Sequence, residues 1–176
     1  MKHNFNKKQL LNILFNSQSF IGCYTCNLNN LNKPFVFSNR HKRTIIDLNF
    51  SVNNFRRVFN LLSYFKSSKF LIINEDNNFI FLNKYFNSIK NVTCIETKLN
   101  QKFFDTNNFD LIIILSSKNF ETIANNSKQR KIPIIAFMGL DKSFKKSLYP
   151  IFTNTNNLKS KLVMNFLIYK FLTNQK

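Results

Sequence analysis

The strongest constraint on the fold is a regular alternation, from Thr44 onward, between short continuous apolar runs and longer amphipathic stretches. The runs are rich in β-branched and aromatic residues, which favours strands buried on both faces of a sheet. Six runs occur, the last weaker than the others: TIIDL at 44–48, KFLII at 69–73, VTCI at 92–95, DLIIIL at 110–115, IPIIAFM at 132–138 and YPIFT at 149–153. Each is predicted to be a strand of one sheet.

The stretches between these runs repeat apolar residues at three- and four-residue spacing, as one face of a helix requires. Four such patterns begin near Val52, Phe79, Phe120 and Leu158. Asn49 or Ser51 is suited to cap the first helix. Strands that alternate with helices predict an α/β fold of the Rossmann-like, flavodoxin-like kind: a parallel sheet with helices on both faces.

Residues 1–43 do not follow this rhythm. A short helix is predicted from Lys7 to Phe15, and the rest is polar, basic and aromatic without a clear period. We therefore expect two parts: a basic N-terminal helix and extended arm over residues 1–43, and a Rossmann-like domain over residues 44–176.

The charge of the chain is strongly positive. There are 26 Lys and Arg against 8 Asp and Glu, which gives a formal net charge of +18 at pH 7. No acidic residue precedes Asp47 or follows Asp141, so both ends are purely basic. A folded protein with this much self-repulsion usually binds a polyanion. Nucleic acid is the first candidate, an anionic membrane surface the second, and solubility by charge alone the third.

The residue usage indicates an AT-rich genome. Asn, Phe, Lys, Ile and Leu crowd the sequence, with 22 Phe, whereas Gly occurs twice and Trp is absent. The frequent residues have codons rich in A and T. We therefore expect a strongly AT-biased genome, such as that of an organelle. The first residues show neither the Arg- and Ser-rich pattern of a transit peptide nor a secretory leader.

Motifs for catalysis or nucleotide binding are missing from the predicted strand ends. Ligands of doubly wound sheets bind beyond the carboxyl ends of the strands. These ends read NED at 74–76, SS at 116–117 and GLD at 139–141. None has the glycines that let a backbone approach phosphate, so no cofactor is expected. Asp76 and Asp141 are candidates for a metal site in one crevice, although such residues more often cap helices.

The sequence contains few residues suited to acid–base catalysis. His3 and His41 are the only histidines, and both lie in the arm. No spacing of Ser, His and Asp indicates a triad. We therefore expect a protein that is not an enzyme.

The C-x-x-C motif formed by Cys23 and Cys26 has three readings. A redox pair belongs in a loop between a strand and a helix start, whereas this pair lies in the arm. A closed zinc site needs four ligands, and the chain offers these two and His41, because Cys94 falls within a predicted core strand. We interpret both cysteines as ordinary residues. Half of a metal site shared with a partner is the second alternative, and a redox pair is the third.

One segment is specific. KPFVFSNRHKRTIIDL at 33–48 resembles the signature of the universal small-subunit ribosomal protein two family, K-P-[FY]-[IV]-[FY]-x-x-R-x-x-x-x-I-I-[DN]-L, which leads into the first strand of a Rossmann-like domain. The matching residues are Lys33, Pro34, Phe35, Val36, Phe37, Arg40, Ile45, Ile46, Asp47 and Leu48. Other segments resemble family segments in the same order: FIGC at 20–23, KFLII at 69–73, DLIIIL at 110–115, RKIPIIAFMGLDKS at 130–143 and LVMNFLIYKFL at 162–172.

The resemblance implies a non-catalytic structural constituent of a small ribosomal subunit, without a cofactor. Its partners would be ribosomal RNA and neighbouring small-subunit ribosomal proteins, in a position between the head and the body. With the codon bias, it implies the mitochondrial matrix as the location, and another organelle with an AT-rich genome is the alternative. No membrane partner and no homo-oligomer are expected. The resemblance also places Cys23 where the family has a histidine, so the C-x-x-C motif looks like local drift.

The sequence departs from the family in one large feature. The family's R-W-L-G-G-x-L-T-N segment and the coiled-coil protrusion after it are missing, and residues 97–109 alone join the third strand to DLIIIL. Thirteen residues are too few for a helical hairpin of useful length. We expect a short ordered connection, with the protrusion lost or supplied by another chain.

The RNA contacts are predicted in the arm. The candidate residues are Lys7, Lys8, Lys33, Arg40, His41, Lys42 and Arg43. Pro34 fixes one φ angle and biases Lys33 toward an extended form, so the basic side chains are expected to be held outward. Arg40 is the best single candidate, because it matches the signature and its planar guanidinium can hold a phosphate bidentately. A loop whose charges face only water is the alternative.

Two other functions compete with this prediction. A degenerate nucleotide-binding or RNA-modifying enzyme of similar fold would need a Gly-rich or acidic crevice. A basic membrane-surface protein would need a helix with a dense Lys face, which the C-terminal helix with Lys159, Lys161 and Lys170 matches weakly.

Overall fold

A computed structural model describes residues 6–65, 68–95, 108–116 and 119–173 of the chain. The helices are α1 (Lys7–Asn16), α2 (Leu48–Tyr64), α3 (Ile80–Asn87), α4 (Phe120–Gln129) and α5 (Leu158–Thr173). The strands are β1 (Ile21–Tyr24), β2 (Val36–Arg40), β3 (Arg43–Ile46), β4 (Phe70–Asn74), β5 (Val92–Ile95), β6 (Leu111–Ser116), β7 (Ile134–Met138) and β8 (Tyr149–Phe152). The predicted helices at the N-terminus and between the strands are thereby confirmed.

The central sheet has five parallel strands in the spatial order β5–β4–β6–β7–β8. Counted along the chain within this sheet, the order is 2-1-3-4-5, which is that of flavodoxin-like folds. The direction of the strand order reverses between β4 and β6. The predicted α/β class, with a parallel sheet flanked by helices, is confirmed, and five of the six predicted strands lie in this sheet.

The sheet is buried on both faces, because its apolar side chains alternate between two clusters. Phe70 and Ile72 point into a cluster with α1, α2, α3 and α5, whereas Leu71 and Ile73 point into a second cluster with α4. All four side chains are at most 3% exposed. Two-sided burial explains why the strands appear in the sequence as continuous apolar runs.

The helix α2 follows the predicted apolar face but begins earlier than expected. Val52, Phe55, Phe59 and Leu62 are buried along one side. Asp47 is the N-cap, since its side chain accepts a hydrogen bond of 2.9 Å from the backbone N–H of Asn49. The prediction of Asn49 or Ser51 as the cap was wrong, because Ser51 is buried and donates to the carbonyl of Phe152 instead.

The run at 44–48 was predicted to be a strand of the parallel sheet, and this prediction was wrong. Its residues form β3, which lies between β1 and β2 in a separate antiparallel sheet. The reason is local: a two-residue turn joins β2 to β3, and such turns connect antiparallel neighbours, whereas parallel strands need a long crossover. The parallel sheet therefore starts with β4.

The irregular, extended arm predicted after the first helix was wrong for the described residues, because this stretch forms β1 and β2. The predicted helix itself is α1, and its Leu10 and Leu14 are fully buried in the main core. Hydrogen bonds between buried hydroxyl groups also join this segment to the parallel-sheet domain. Ser19 Oγ lies 2.9 Å from Ser160 Oγ, which lies 2.8 Å from Thr153 Oγ1. The N-terminal segment is therefore an integral layer of the fold. The predicted connection at 97–109 lies outside the described residues, apart from 108 and 109.

Candidate nucleic-acid interface

Four of the predicted RNA-binding residues form the tip of one β-hairpin. Arg40 ends β2 and pairs with Arg43, which begins β3, so His41 and Lys42 are the two turn residues between them. All four side chains are exposed. Among the described residues, no carboxylate pairs with Arg40, Lys42 or Arg43. The tip therefore presents three permanent positive charges and an imidazole to solvent.

The turn has an unusual backbone. His41 has a φ of 48° and Lys42 a φ of 61°. Two positive φ values are what a type I′ hairpin turn requires, and Asn-Gly or Asp-Gly normally supplies them. A residue with a Cβ in this region costs about 1–2 kcal/mol. Strain of this size at an exposed turn is characteristic of functional sites, and here it holds two basic side chains at the tip.

Arg43 is held in place by an aromatic neighbour. Its guanidinium Cζ lies 4.7 Å from the ring centroid of Tyr24, and Nη2 donates to the Tyr24 hydroxyl at 3.1 Å. The backbone N–H of Thr25, next along the chain, donates to the carbonyl of Lys42 at 2.9 Å. These contacts from the end of β1 fix one side of the tip, while Arg40 on the other side projects without such a contact.

The hairpin is anchored at its base, so the tip is carried on a rigid support. Asn32 Nδ2 donates to the carbonyls of Leu140 and Lys142 at 2.8 and 2.7 Å, beyond the end of β7. Phe35 packs against Phe50 and Phe152, with ring centroids 4.3 and 4.9 Å away. The support is therefore both polar and aromatic.

Lys33, Lys7 and Lys8 are not part of the tip. Lys33 lies in a 3₁₀ helix, Asn30–Phe35, at the opposite end of β2, about 13 Å of strand away. The predicted extended form of Lys33 was wrong: Pro34 continues this helix, because its fixed φ also suits helical turns. Lys7 and Lys8 are exposed in the first turn of α1, about 14 Å of helix from the end that leads to β1.

Sequence reasoning missed the role of Tyr24. Tyr24 lies inside the C-x-x-C motif, directly after Cys23. Its contact with Arg43 depends on the pairing of β1 with β3, which places these two residues opposite each other. An Asn-Gly pair at the turn would have revealed the hairpin, and with it this neighbour; His41-Lys42 gives no such signal.

The cysteines have environments of different kinds. Cys23 is half-buried, with Sγ 3.8 Å from Thr44 Oγ1, and burial raises the pKa of its thiol. A raised pKa works against the thiolate that redox chemistry and metal binding need. Cys26 is exposed, and Cys94 is buried in β5, as predicted. Within the described ranges, no three His, Cys, Asp or Glu residues form a group suited to a metal ion.

A crevice of about 450 Å³ lies beyond the carboxyl ends of β4, β6 and β7, at the place where the strand order reverses. Asp76 and Asp141 both line it, as predicted. Asp76 caps the 3₁₀ helix before α3 and pairs with Lys161, whose Nζ lies 2.6 Å from Oδ2. Burial raises the pKa of Asp76, but hydrogen bonds from Lys161 and the N–H of Asn78 outweigh it and lower the pKa. This carboxylate is therefore engaged in a structural ion pair.

No known family model matches this chain, and no curated protein shows significant sequence similarity to it. Across the described part of the chain, no helix has the length and apolar character needed to cross a membrane.

Proposed function

We propose that this chain is a non-catalytic structural protein of an organellar small ribosomal subunit, most simply the mitochondrial one, and that it binds ribosomal RNA through the β2–β3 hairpin. The observation that carries the proposal is the hairpin tip, with Arg40, His41, Lys42 and Arg43 exposed on a strained turn. Phosphate groups are the natural partners of such a cluster, and they are met without base recognition.

The segment that resembles the ribosomal family is one continuous structural unit. Residues 33–48 run through the end of the 3₁₀ helix, β2, the turn, β3 and the Asp47 cap of α2. Ile46 of this run is a core residue and Phe35 packs against that core, whereas Arg40 is exposed. The resemblance therefore includes residues that support the hairpin as well as one that would touch RNA. It also suggests the position between head and body, among other small-subunit proteins.

A nucleotide-binding or RNA-modifying enzyme is the second candidate, and the crevice at the reversal of the strand order favours it, because ligands of such sheets bind there. Two features count against it. The ion pair between Asp76 and Lys161 lies across the crevice wall. The turns after β4 and β6 lack the glycines that would bring backbone N–H groups to a phosphate. Micromolar binding of a mononucleotide at physiological salt would favour the enzyme.

The test is RNA binding as a function of salt, measured with small-subunit ribosomal RNA fragments. The hairpin variant replaces Arg40, Lys42 and Arg43 with Ala. Each lost phosphate contact lowers the slope of log affinity against log salt by about 0.7–0.9, so a reduction of about 2–3 is expected. Folding should be unchanged by circular dichroism, because the three side chains are exposed.

The control variant replaces Arg56, Arg57 and Lys128 with Ala. These side chains are also exposed, on α2 and α4, and their loss removes the same three charges. The control variant should keep most of the slope. Equal losses in the two variants would show that binding depends on net charge alone, and would refute the assignment of the hairpin.

A further inference from the structure

The largest group of exposed apolar side chains lies on α3 and α5, far from the hairpin in the sequence. Six of the twelve large apolar side chains that are exposed among the described residues belong to these two helices, each 40–57% exposed. They are Ile80, Phe81, Tyr85, Leu158, Leu162 and Phe166, and we name them the α3–α5 face. Apolar side chains concentrated in this way mark interaction sites on soluble proteins.

The two helices lie side by side and in parallel. Asp76, just before α3, pairs with Lys161 near the start of α5, and Tyr85 meets Tyr169 with ring centroids 6.2 Å apart. The start of α3 thus lies near the start of α5, and Tyr85 lies level with Tyr169. Phe81 is one turn before Tyr85, so it lies level with the turn of α5 that precedes Tyr169.

The exposed side chains form two rows. On α5, Leu158, Leu162 and Phe166 follow one another at four-residue spacing, and on α3 Phe81 and Tyr85 do the same. Residues four apart share one side of a helix, so each row is a ridge. Two such rows on neighbouring helices match a partner helix with apolar residues at i, i+4 and i+7, which is how amphipathic helices are bound.

The size of the face also calls for a partner. Large apolar side chains carry on the order of 150–250 Å² each, so six that are about half exposed present on the order of 500 Å². That value lies in the range of the largest patches on monomeric proteins, which are often functional.

The charges around the face select the partner. Exposed lysines flank the face: Lys84 on α3 and Lys159 on α5. Neither helix contains Asp or Glu. A second copy of the chain would bring lysines against lysines. RNA would leave the aliphatic half of the face without stacking partners. An acidic protein surface satisfies both the lysines and the apolar rows.

We propose that the α3–α5 face docks an amphipathic helix of a neighbouring protein, in which Asp and Glu flank an apolar row. The inference rests on the proposed function only for the neighbour's place in the assembly. Docking at the α3–α5 face requires neither RNA nor the hairpin, so either proposal can be refuted without the other.

The test uses the whole chain and a synthetic helical peptide of about 20 residues, long enough to form a helix, with Leu at alternating three- and four-residue spacing and Glu between them. Binding is followed by fluorescence anisotropy. The peptide should bind about tenfold or more tightly than a scrambled peptide of the same composition, and than a version with Lys in place of Glu. Replacing Leu162 and Phe166 with Ser should weaken binding by about tenfold or more, since central apolar contacts each cost more than about 1 kcal/mol.

Tyr64→Ser is the matched control, because Tyr64 is 86% exposed on α2 and lies outside the face. It should leave peptide binding unchanged, and circular dichroism should show that all variants are folded. Four results would overturn the proposal: equal binding of the scrambled peptide, no effect of the double substitution, dimerisation that this substitution abolishes, or displacement of the peptide by phosphatidylserine vesicles or single-stranded RNA.

Discussion

The strained turn of the hairpin makes a prediction in which stability and RNA binding change in opposite directions. Replacing His41 with Asn and Lys42 with Gly gives the residues that a type I′ turn prefers. The φ values of 48° and 61° cost about 1–2 kcal/mol for each residue with a Cβ. Glycine also raises the conformational entropy of the unfolded chain, which lowers the gain in stability by about 0.4–1 kcal/mol. The net gain in the free energy of unfolding should therefore be about 0.5–1.5 kcal/mol.

For a chain of this length, that gain raises Tm by about 1–6 °C, which thermal unfolding followed by circular dichroism would detect. The same variant loses the charge of Lys42, so the slope of log RNA affinity against log salt should fall by about one. Lys42→Ala is the control, because it removes the charge and keeps a Cβ at positive φ. It should lose the same slope without a gain in Tm.

Two results would refute this reasoning. If the Asn-Gly variant were no more stable than the native chain, the positive φ values would not store strain. If it bound RNA with an unchanged salt dependence, the turn would not contact phosphate.

Three further predictions concern the support of the fold. Gly22→Ala should lower the free energy of unfolding by about 1–3 kcal/mol in urea titration, because a Cβ there would collide with a side chain of β3; an unchanged midpoint would contradict this close approach. Asp76 has a lowered pKa in the folded chain, so its ion pair with Lys161 stabilises the fold at pH values above 3.8, the ordinary pKa of this carboxyl group. This stabilisation is lost as the pH falls through the lower pKa of the folded state. Asp76→Asn should therefore cost about 1–2 kcal/mol at pH 7 and less near pH 2, whereas a pH-independent cost would exclude the ion pair as its cause. In the folded chain iodoacetamide should modify Cys26 faster than Cys23, as followed by mass spectrometry, because burial raises the pKa of Cys23; equal rates would contradict this environment.

The parallel sheet was predictable because burial on both faces leaves a strong mark in the sequence. KFLII and DLIIIL contain almost no polar residue, and such runs separated by amphipathic patterns leave few alternatives to an α/β fold. The order of the strands depends on which crossovers the chain makes, and the apolar runs alone do not give it.

The antiparallel sheet was not predictable by the same means. Four of the five residues of β2 are exposed, so the strand has no apolar alternation. His41-Lys42 adopts a turn that neither residue favours, and the pairing of Tyr24 with Arg43 depends on that turn. Asp47 was overlooked as a cap because it completes an apolar run, where it was read as part of the strand. Charge and the family resemblance singled out the basic residues at 40–43, but their place at the tip of a hairpin depends on the fold.

The most direct test of the proposed function is co-sedimentation with small ribosomal subunits on a sucrose gradient at moderate salt. Tagged native chain, the hairpin variant and the control variant are expressed in the organelle and compared. The native chain and the control variant should migrate with the small subunit, whereas the hairpin variant should remain largely near the top of the gradient. A native chain absent from the small-subunit fractions would contradict the ribosomal assignment, and a hairpin variant that migrates like the native chain would contradict RNA binding through the hairpin.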